Sequence, residues 1–254
     1  MKNTFNSHAT RIALAVGLAT LAHAANAAAG ACTVRSPRNA TPVIELYTSE
    51  GCSSCPPADR WLSGWKADPE VVALAFHVDY WDRLGWKDRF SSPLFTQRQA
   101  QQLPSNGARF SYTPQVVVDG ADRTDWPRVA LDPAHRNGAP APIELTLTRD
   151  GERVTAQVAA TSGAPRRVAG YWALTELGHV TTVKAGENEG ATLRHDFVVR
   201  DYRPIAPWAA RGEGPKSLTY DVPPSADATH PRQVNLVVVD ADNGRPIQAL
   251  KIGC

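Results

Sequence analysis

The chain has 254 residues, of which 43% are apolar and 20% charged, so it can bury a sizeable core as one large unit or two smaller ones. Its formal charge of +2 and the lack of any long basic run exclude an electrostatic footing for a nucleic-acid partner. Internal repeats, low-complexity tracts, a glycine-rich phosphate loop, a GxSxG elbow and paired zinc CxxC motifs are all missing.

Lys2 and Arg11 precede the apolar stretch Ile12–Leu21, and Ala25-Asn26-Ala27 follows it. A basic start, a short apolar run and a small-x-small site are the three parts of a secretory signal. Residues 1–27 are expected to be that signal, with Ala22-His23-Ala24 as a second possible cut. The apolar run is short for a membrane span, and no later run is long enough to be one. The expected product is therefore exported, periplasmic or secreted, with no transmembrane anchor. Ala29-Gly30-Ala31 lacks the large apolar residue expected before a lipidated cysteine, so no lipid is expected on Cys32.

Export changes how the four cysteines read, because an even number in an oxidising compartment suggests pairs. Cys52-Ser53-Ser54-Cys55 is the local pair, which leaves Cys32 and Cys254 as an expected structural disulfide. The CxxC follows the strand-like run Val43–Tyr47 and precedes a helix predicted over Pro57–Lys66, closed before Asp68-Pro69. A second strand is predicted over Val71–Val78. Ser92-Pro93 then opens a helix expected to stop at Gln102, before Pro104. Tyr112-Thr113-Pro114-Gln115 runs into the strand-like Val116-Val117-Val118 and the turn Asp119-Gly120.

Beyond the boundary near His135–Pro142 the chain reads as short strands. Ile143, Leu145 and Leu147 alternate with polar residues, and Asp150-Gly151 is a hairpin signal into Val154, Ala156 and Val158. Further strands are predicted at 168–176, 179–183, 193–200, 218–222, 234–240 and 247–252. The expected fold class is an α/β domain over 28–138, with an insertion after its second strand, followed by an all-β sandwich-like domain over 139–254.

Two residues between cysteines let both sulfurs meet in one turn, and a helix N-terminus favours the thiolate. Cys52, nearest the loop edge, is the expected nucleophile and Cys55 the resolving thiol. A cis bond at Thr113-Pro114 would turn the backbone toward the CxxC and present Thr113 to an extended substrate. The candidate site is thus Cys52, Cys55 and Pro114 for chemistry, with Tyr112, Thr113, Ser53, Ser54 and Trp81 for substrate contact. Trp61 and Trp65 are expected in the core or at an interface. Expected partners are protein or small-molecule thiols and disulfides, and no cofactor is expected.

Glu45-Leu46-Tyr47-Thr48 before Cys52, with Thr113-Pro114-Gln115 before Val118-Asp119-Gly120, is similar to the glutaredoxin branch of the thioredoxin-like superfamily. More closely, the run from Tyr47 through Cys52 and Cys55 to Asp59 resembles a family of secreted bacterial proteins catalogued as a domain of unknown function. Phe76–Asp82, Gly85–Asp88 and Gly186–Gly190 fit that family too. The resemblance implies a thioredoxin-like domain followed by a β-rich domain, and no established activity.

Three departures matter. Gly51 stands where thioredoxins carry Trp, Ser53-Ser54 replaces Gly-Pro, and Leu46 occupies the place of their buried acid, with Glu45 one residue earlier. That offset points Glu45 to the opposite face of a regular strand. Glu45 stays a candidate for proton transfer at Cys55, against a strand-edge or capping role. Two other readings stand beside the oxidoreductase: a binding module in which Cys52-Cys55 is an inert staple, and copper handling by Cys52, Cys55 and His77. His179 and His195 are assigned no chemistry.

Overall fold

A computed structural model describes residues 1–2, 31–129, 140–212, 214–225 and 227–254. The expected signal peptide from residue 3 onward, both of its cut sites and most of the expected domain boundary lie outside the described residues. Among the described residues, no helix is long and apolar enough to cross a membrane.

In chain order the first half supplies β1 (Cys32–Arg35), β2 (Val43–Thr48), α1 (Pro56–Ser63), β3 (Val72–His77), α2 (Pro93–Asn106), β4 (Gln115–Val118) and β5 (Ala121–Asp122). The second half supplies β6 (Ile143–Asp150), β7 (Arg153–Ala160), β8 (Arg167–Glu176), β9 (His179–Thr182), β10 (Thr192–His195), β11 (Val198–Ala209), β12 (Lys216–Asp221), β13 (Arg232–Asp240) and β14 (Pro246–Ile252). These strands form an eight-stranded sheet in the order β14-β13-β8-β11-β3-β2-β4-β5, a four-stranded sheet β1-β6-β7-β12 and the pair β10-β9.

This arrangement corrects the expected fold class. The described residues are mostly β-sheet with two α-helices, not an α/β thioredoxin-like domain followed by an independent sandwich. The reason lies at the edge of β3. β3 pairs in parallel with β2 on one side, and its other edge would be left with unpaired amides. β11, from the second half, takes that edge in parallel, and β8 and β13 follow it antiparallel. Strands from both halves thus share one sheet. The four-stranded sheet packs across β8, β13 and β14, burying Leu145, Leu147, Trp172, Leu174 and Leu236 in one core. β1 comes from the N-terminal end of the described chain, yet pairs with β6.

The helix boundaries also differ from expectation. α1 ends at Ser63 and continues as a 3-10 turn over Gly64–Ala67. α2 runs through Pro104 to Asn106, where Gly107 in the left-handed region closes it. A proline removes one main-chain bond, and here it does so within the last turn, where the Ser105 hydroxyl donates to the Gln102 carbonyl.

Every residue of β2 is buried, because α2 covers one face and α1 the other. Strand alternation sends Ile44 and Leu46 toward α1 and Val43 and Tyr47 toward α2. Glu45 lies on the α2 face. Its carboxylate is bound by the Arg98 guanidinium and accepts from the hydroxyls of Tyr47 and Tyr171 and from Gln102. Arg98 also lies over the rings of Phe76, Tyr171 and Tyr202. Burial alone would raise the Glu45 pKa, but Arg98 and the hydroxyl donors hold it below the usual value.

A depressed carboxylate stabilises the fold above its unfolded pKa, and that contribution is lost as pH falls through the folded pKa. Arg98→Met strands the buried charge and is expected to cost about 3–5 kcal/mol near neutral pH. In urea unfolding the gap from wild type should narrow as acid neutralises Glu45; a gap independent of pH would contradict the ion pair. Cys32 and Cys254 are joined across 222 positions, tying β1 to the end of the chain after β14. Chain entropy puts the loss for Cys32→Ser/Cys254→Ser at about 5 kcal/mol, and an unchanged urea midpoint would refute it.

Candidate functional site

The CxxC sits where β2 hands over to α1. Backbone bonds from Cys52 N to the Ser49 carbonyl and from Cys55 N to the Cys52 carbonyl, each 3.2 Å, close the turn. Cys55 is the N-cap of α1, and Pro56 and Pro57 fall in the first turn, where a missing amide costs nothing. Cys52 and Cys55 are joined in a disulfide, Cα–Cα 5.4 Å. Both cysteines are fully buried, while Ser53 and Ser54 face solvent. Cys52 therefore does not stand open at the loop edge as expected from its position in the chain.

The cover comes from the second half of the chain. Asn188 donates to the carbonyls of Glu50 and Cys52, both at 2.9 Å. Glu187 accepts from the Ser53 amide at 3.1 Å and the Ser53 hydroxyl at 2.8 Å, and these bonds lower its pKa. On the other side stands Trp81. A Cβ on Gly51 would meet the Trp81 Cβ at 3.2 Å, so a side chain before Cys52 would press on Trp81.

Across from the turn, the Thr113-Pro114 bond is cis. Ser54 Oγ lies 3.4 Å from Cys52 Sγ and donates to the Thr113 carbonyl at 3.5 Å. The Trp81 indole donates to Thr113 Oγ1 at 2.8 Å. Cys52, Cys55, Ser53, Ser54, Trp81, Thr113 and Pro114 are thus brought to one end of the sheet. Tyr112 belongs to the same loop, but its hydroxyl turns away to Asp122 at 2.9 Å. Phe110, exposed, packs edge-on against the Tyr112 ring. Trp61 packs against Trp65 and Trp126 beside the α1 core.

Glu45 does not serve the disulfide, since it is committed to Arg98 on the α2 face. The acid on the α1 face is Asp59, whose Oδ2 accepts from Thr48 Oγ1 at 2.9 Å. Its Oδ1 lies 3.5 Å from His195 Nδ1, and Glu50 Oε1 lies 3.5 Å from His195 Nε2. Burial disfavours a charged His195, yet these two carboxylates outweigh it and push the pKa up to about 9. His77 meets Asp88 at 2.6 Å. Burial would raise the Asp88 pKa, but His77 and the amides of Glu50 and Phe90 bring it down to about 2. Trp86 donates to Glu50 Oε2 at 2.8 Å.

Asp59, Glu50, Asp88 and His195 were missed as site residues. Asp59 had a usable signal, since it stands four residues after Cys55, on the same face of the helix. His195 had none, because it arrives from the far half of the chain. Asn188→Ala removes two bonds from the cover without touching sulfur. After mild reduction, iodoacetamide labelling of Cys52 should rise several-fold in this variant; an unchanged rate would mean that Asn188 does not shield the turn.

The family model that matches this chain, over residues 43–240, is described as "Protein of unknown function (DUF1223)". No curated protein matches it. A structural-genomics crystal structure of a protein from Agrobacterium tumefaciens is similar, at 26% identity and a TM-score of 0.62, over 85% of this chain and 96% of that one. HBP35 of Porphyromonas gingivalis shares the fold at 15% identity and a TM-score of 0.55, over 86% of this chain and 76% of its own.

Proposed function

The chain belongs to the DUF1223 family, and we propose that it is an exported thiol-disulfide oxidoreductase acting through Cys52 and Cys55. One observation carries this reading: the disulfide turn lies directly against the Thr113-Pro114 loop, bridged by Ser54. A redox turn opposite a proline loop provides both a reactive sulfur and a backbone on which an extended partner can lie. The reading rests on this local arrangement alone; the overall architecture, one sheet shared by both halves of the chain, is not a thioredoxin-like fold. Phe110 offers the partner an apolar contact beside the same loop.

In the oxidising direction, a partner thiolate attacks Cys52 Sγ, the Cys52–Cys55 bond breaks, and Cys55 leaves as a thiolate. A second partner thiolate then attacks the partner's sulfur in the mixed disulfide and releases Cys52. The partner loses two electrons and the cysteine pair gains them. The reducing direction runs the same steps backward, with Cys55 attacking Cys52 Sγ. The Ser54 hydroxyl has one proton, so stabilising a Cys52 thiolate 3.4 Å away requires it to turn from the Thr113 carbonyl, and the N-terminus of α1 adds partial positive charge.

A second reading rests on burial. With both cysteines fully buried and the turn's backbone held by Glu187 and Asn188, the disulfide is also suited to be a structural staple. The reduction potential in glutathione buffers separates the two, measured on Cys32→Ser/Cys254→Ser protein with iodoacetamide trapping against pH. The oxidoreductase reading expects a potential above about −300 mV and a Cys52 pKa under about 8.5. It also expects Cys52→Ser to abolish exchange with a model disulfide. A lower potential with no trappable thiolate establishes the staple.

A further inference from the structure

Beneath the turn, three buried side chains converge from α1, β3 and β10. His77, His195 and Asp59 are 0%, 2% and 6% exposed, and one donor atom from each lies within 4.8 Å of the others. Two of them are already held through their outer atoms. Asp88 Oδ2 binds His77 Nδ1, and Thr48 donates to Asp59 Oδ2. The remaining polar atoms make no hydrogen bond: His77 Nε2, both ring nitrogens of His195 and Glu50 Oε1 have none, and His195 faces Asp59 and Glu50 only as ion-pair neighbours at 3.5 Å.

The spacing is informative. At 3.5 Å, Asp59 Oδ1 and His195 Nδ1 are too far apart for a good charged hydrogen bond. Two ligands about 2.1 Å from one tetrahedral ion stand about 3.4 Å apart. Buried polar groups are normally satisfied, so several convergent orphans on three elements point to something between them.

We propose that Asp59, His77 and His195 form a binding site for a divalent first-row transition ion of the Zn²⁺ class. Two imidazoles and a carboxylate make an N₂O set with a fourth position open, and Glu50 on the far side of His195 balances the second positive charge. Asp88 plays the outer part that metal-bound histidines commonly have: it accepts from Nδ1 and leaves the Nε2 lone pair free to bind. A pocket of about 110 Å³ lined in part by Pro56, Leu193, Asp59 and His195 opens beside two of the three ligands. The site differs from a soft copper set of Cys52, Cys55 and His77, because the cysteines are tied to each other and His77 meets Asp59 and His195 instead. It stands whether or not the disulfide turns over. An ion here clamps α1 to the end of β3 and to the segment leading into β11.

The test is titration of Zn²⁺, by calorimetry, into chelator-dialysed protein with both disulfides intact, with Co²⁺ as a spectroscopic substitute. The expected result is one ion per chain and a Co²⁺ spectrum with visible d–d bands and no sulfur charge-transfer band. His77→Ala and Asp59→Asn should abolish binding, and Asp88→Asn should weaken it about 10–100-fold. His230→Ala, outside the cluster, should leave it unchanged. If a histidine variant fails to fold by circular dichroism, the Asp59→Asn and Asp88→Asn pair decides. Absence of stoichiometric binding to folded wild type, binding that survives Asp59→Asn, or a sulfur charge-transfer band would each overturn the site.

Discussion

What surrounds the disulfide turn depends on one pairing, β11 laid parallel on the open edge of β3. The bond from Ala75 N to the Phe197 carbonyl, 2.8 Å, and the register Val198 to Ala75 define it. Phe197 adopts a φ of +57° to make the approach, a conformation that a bulky side chain holds only where packing over-determines it. Its ring is buried among Ile44, Leu46, Ala58 and Leu62. The kink at Asp196-Phe197 separates β10 from β11, so a stretch that reads as one strand at 193–200 becomes two. It also sets His195 against Asp59. Covering a sheet edge and assembling the polar cluster are therefore the same event.

The eight-stranded sheet keeps two buried charge systems apart. On the α2 face Glu45 and Arg98 neutralise each other amid tyrosine hydroxyls. On the opposite face Thr48, Asp59, Glu50, His195, His77 and Asp88 form a chain of polar contacts behind the cysteines. Isolated charges at such depth would be costly, which is why each carboxylate in either group has a cationic or donor neighbour. Alternation along β2 decides which acid belongs to which system. Glu45 and Thr48 are three positions apart on one strand and point to opposite faces, so the acid that reaches the α1 face must come from the helix.

The two halves of the chain also meet over the turn itself. Glu187 and Asn188 bond to the backbone of Glu50, Cys52 and Ser53, while Lys66 pairs with Asp196 at 2.9 Å on the flank of α1. Lys251 of β14 donates to the carbonyls of Asp68 and Val71. With Cys32 joined to Cys254, the disulfide turn is enclosed by a scaffold to which nearly every segment contributes. Its surroundings cannot be separated from the β-rich half.

The sequence by itself determined the local elements, because local rules govern them. Mainly apolar runs marked the buried β2 and β3, prolines placed the starts of α1 and α2, and Asp150-Gly151 marked a hairpin. The CxxC, its helix and the proline loop were legible for the same reason, since strand order in a short stretch leaves few ways to arrange them. Only the tertiary structure decided that the halves share one sheet, that Cys52 is covered, and that His195 and Asp59 stand together. Those outcomes rest on contacts between residues far apart in the chain, β11 with β3 and Asn188 with Cys52. Such contacts are selected by edge satisfaction and packing, which leave no periodic trace in either partner.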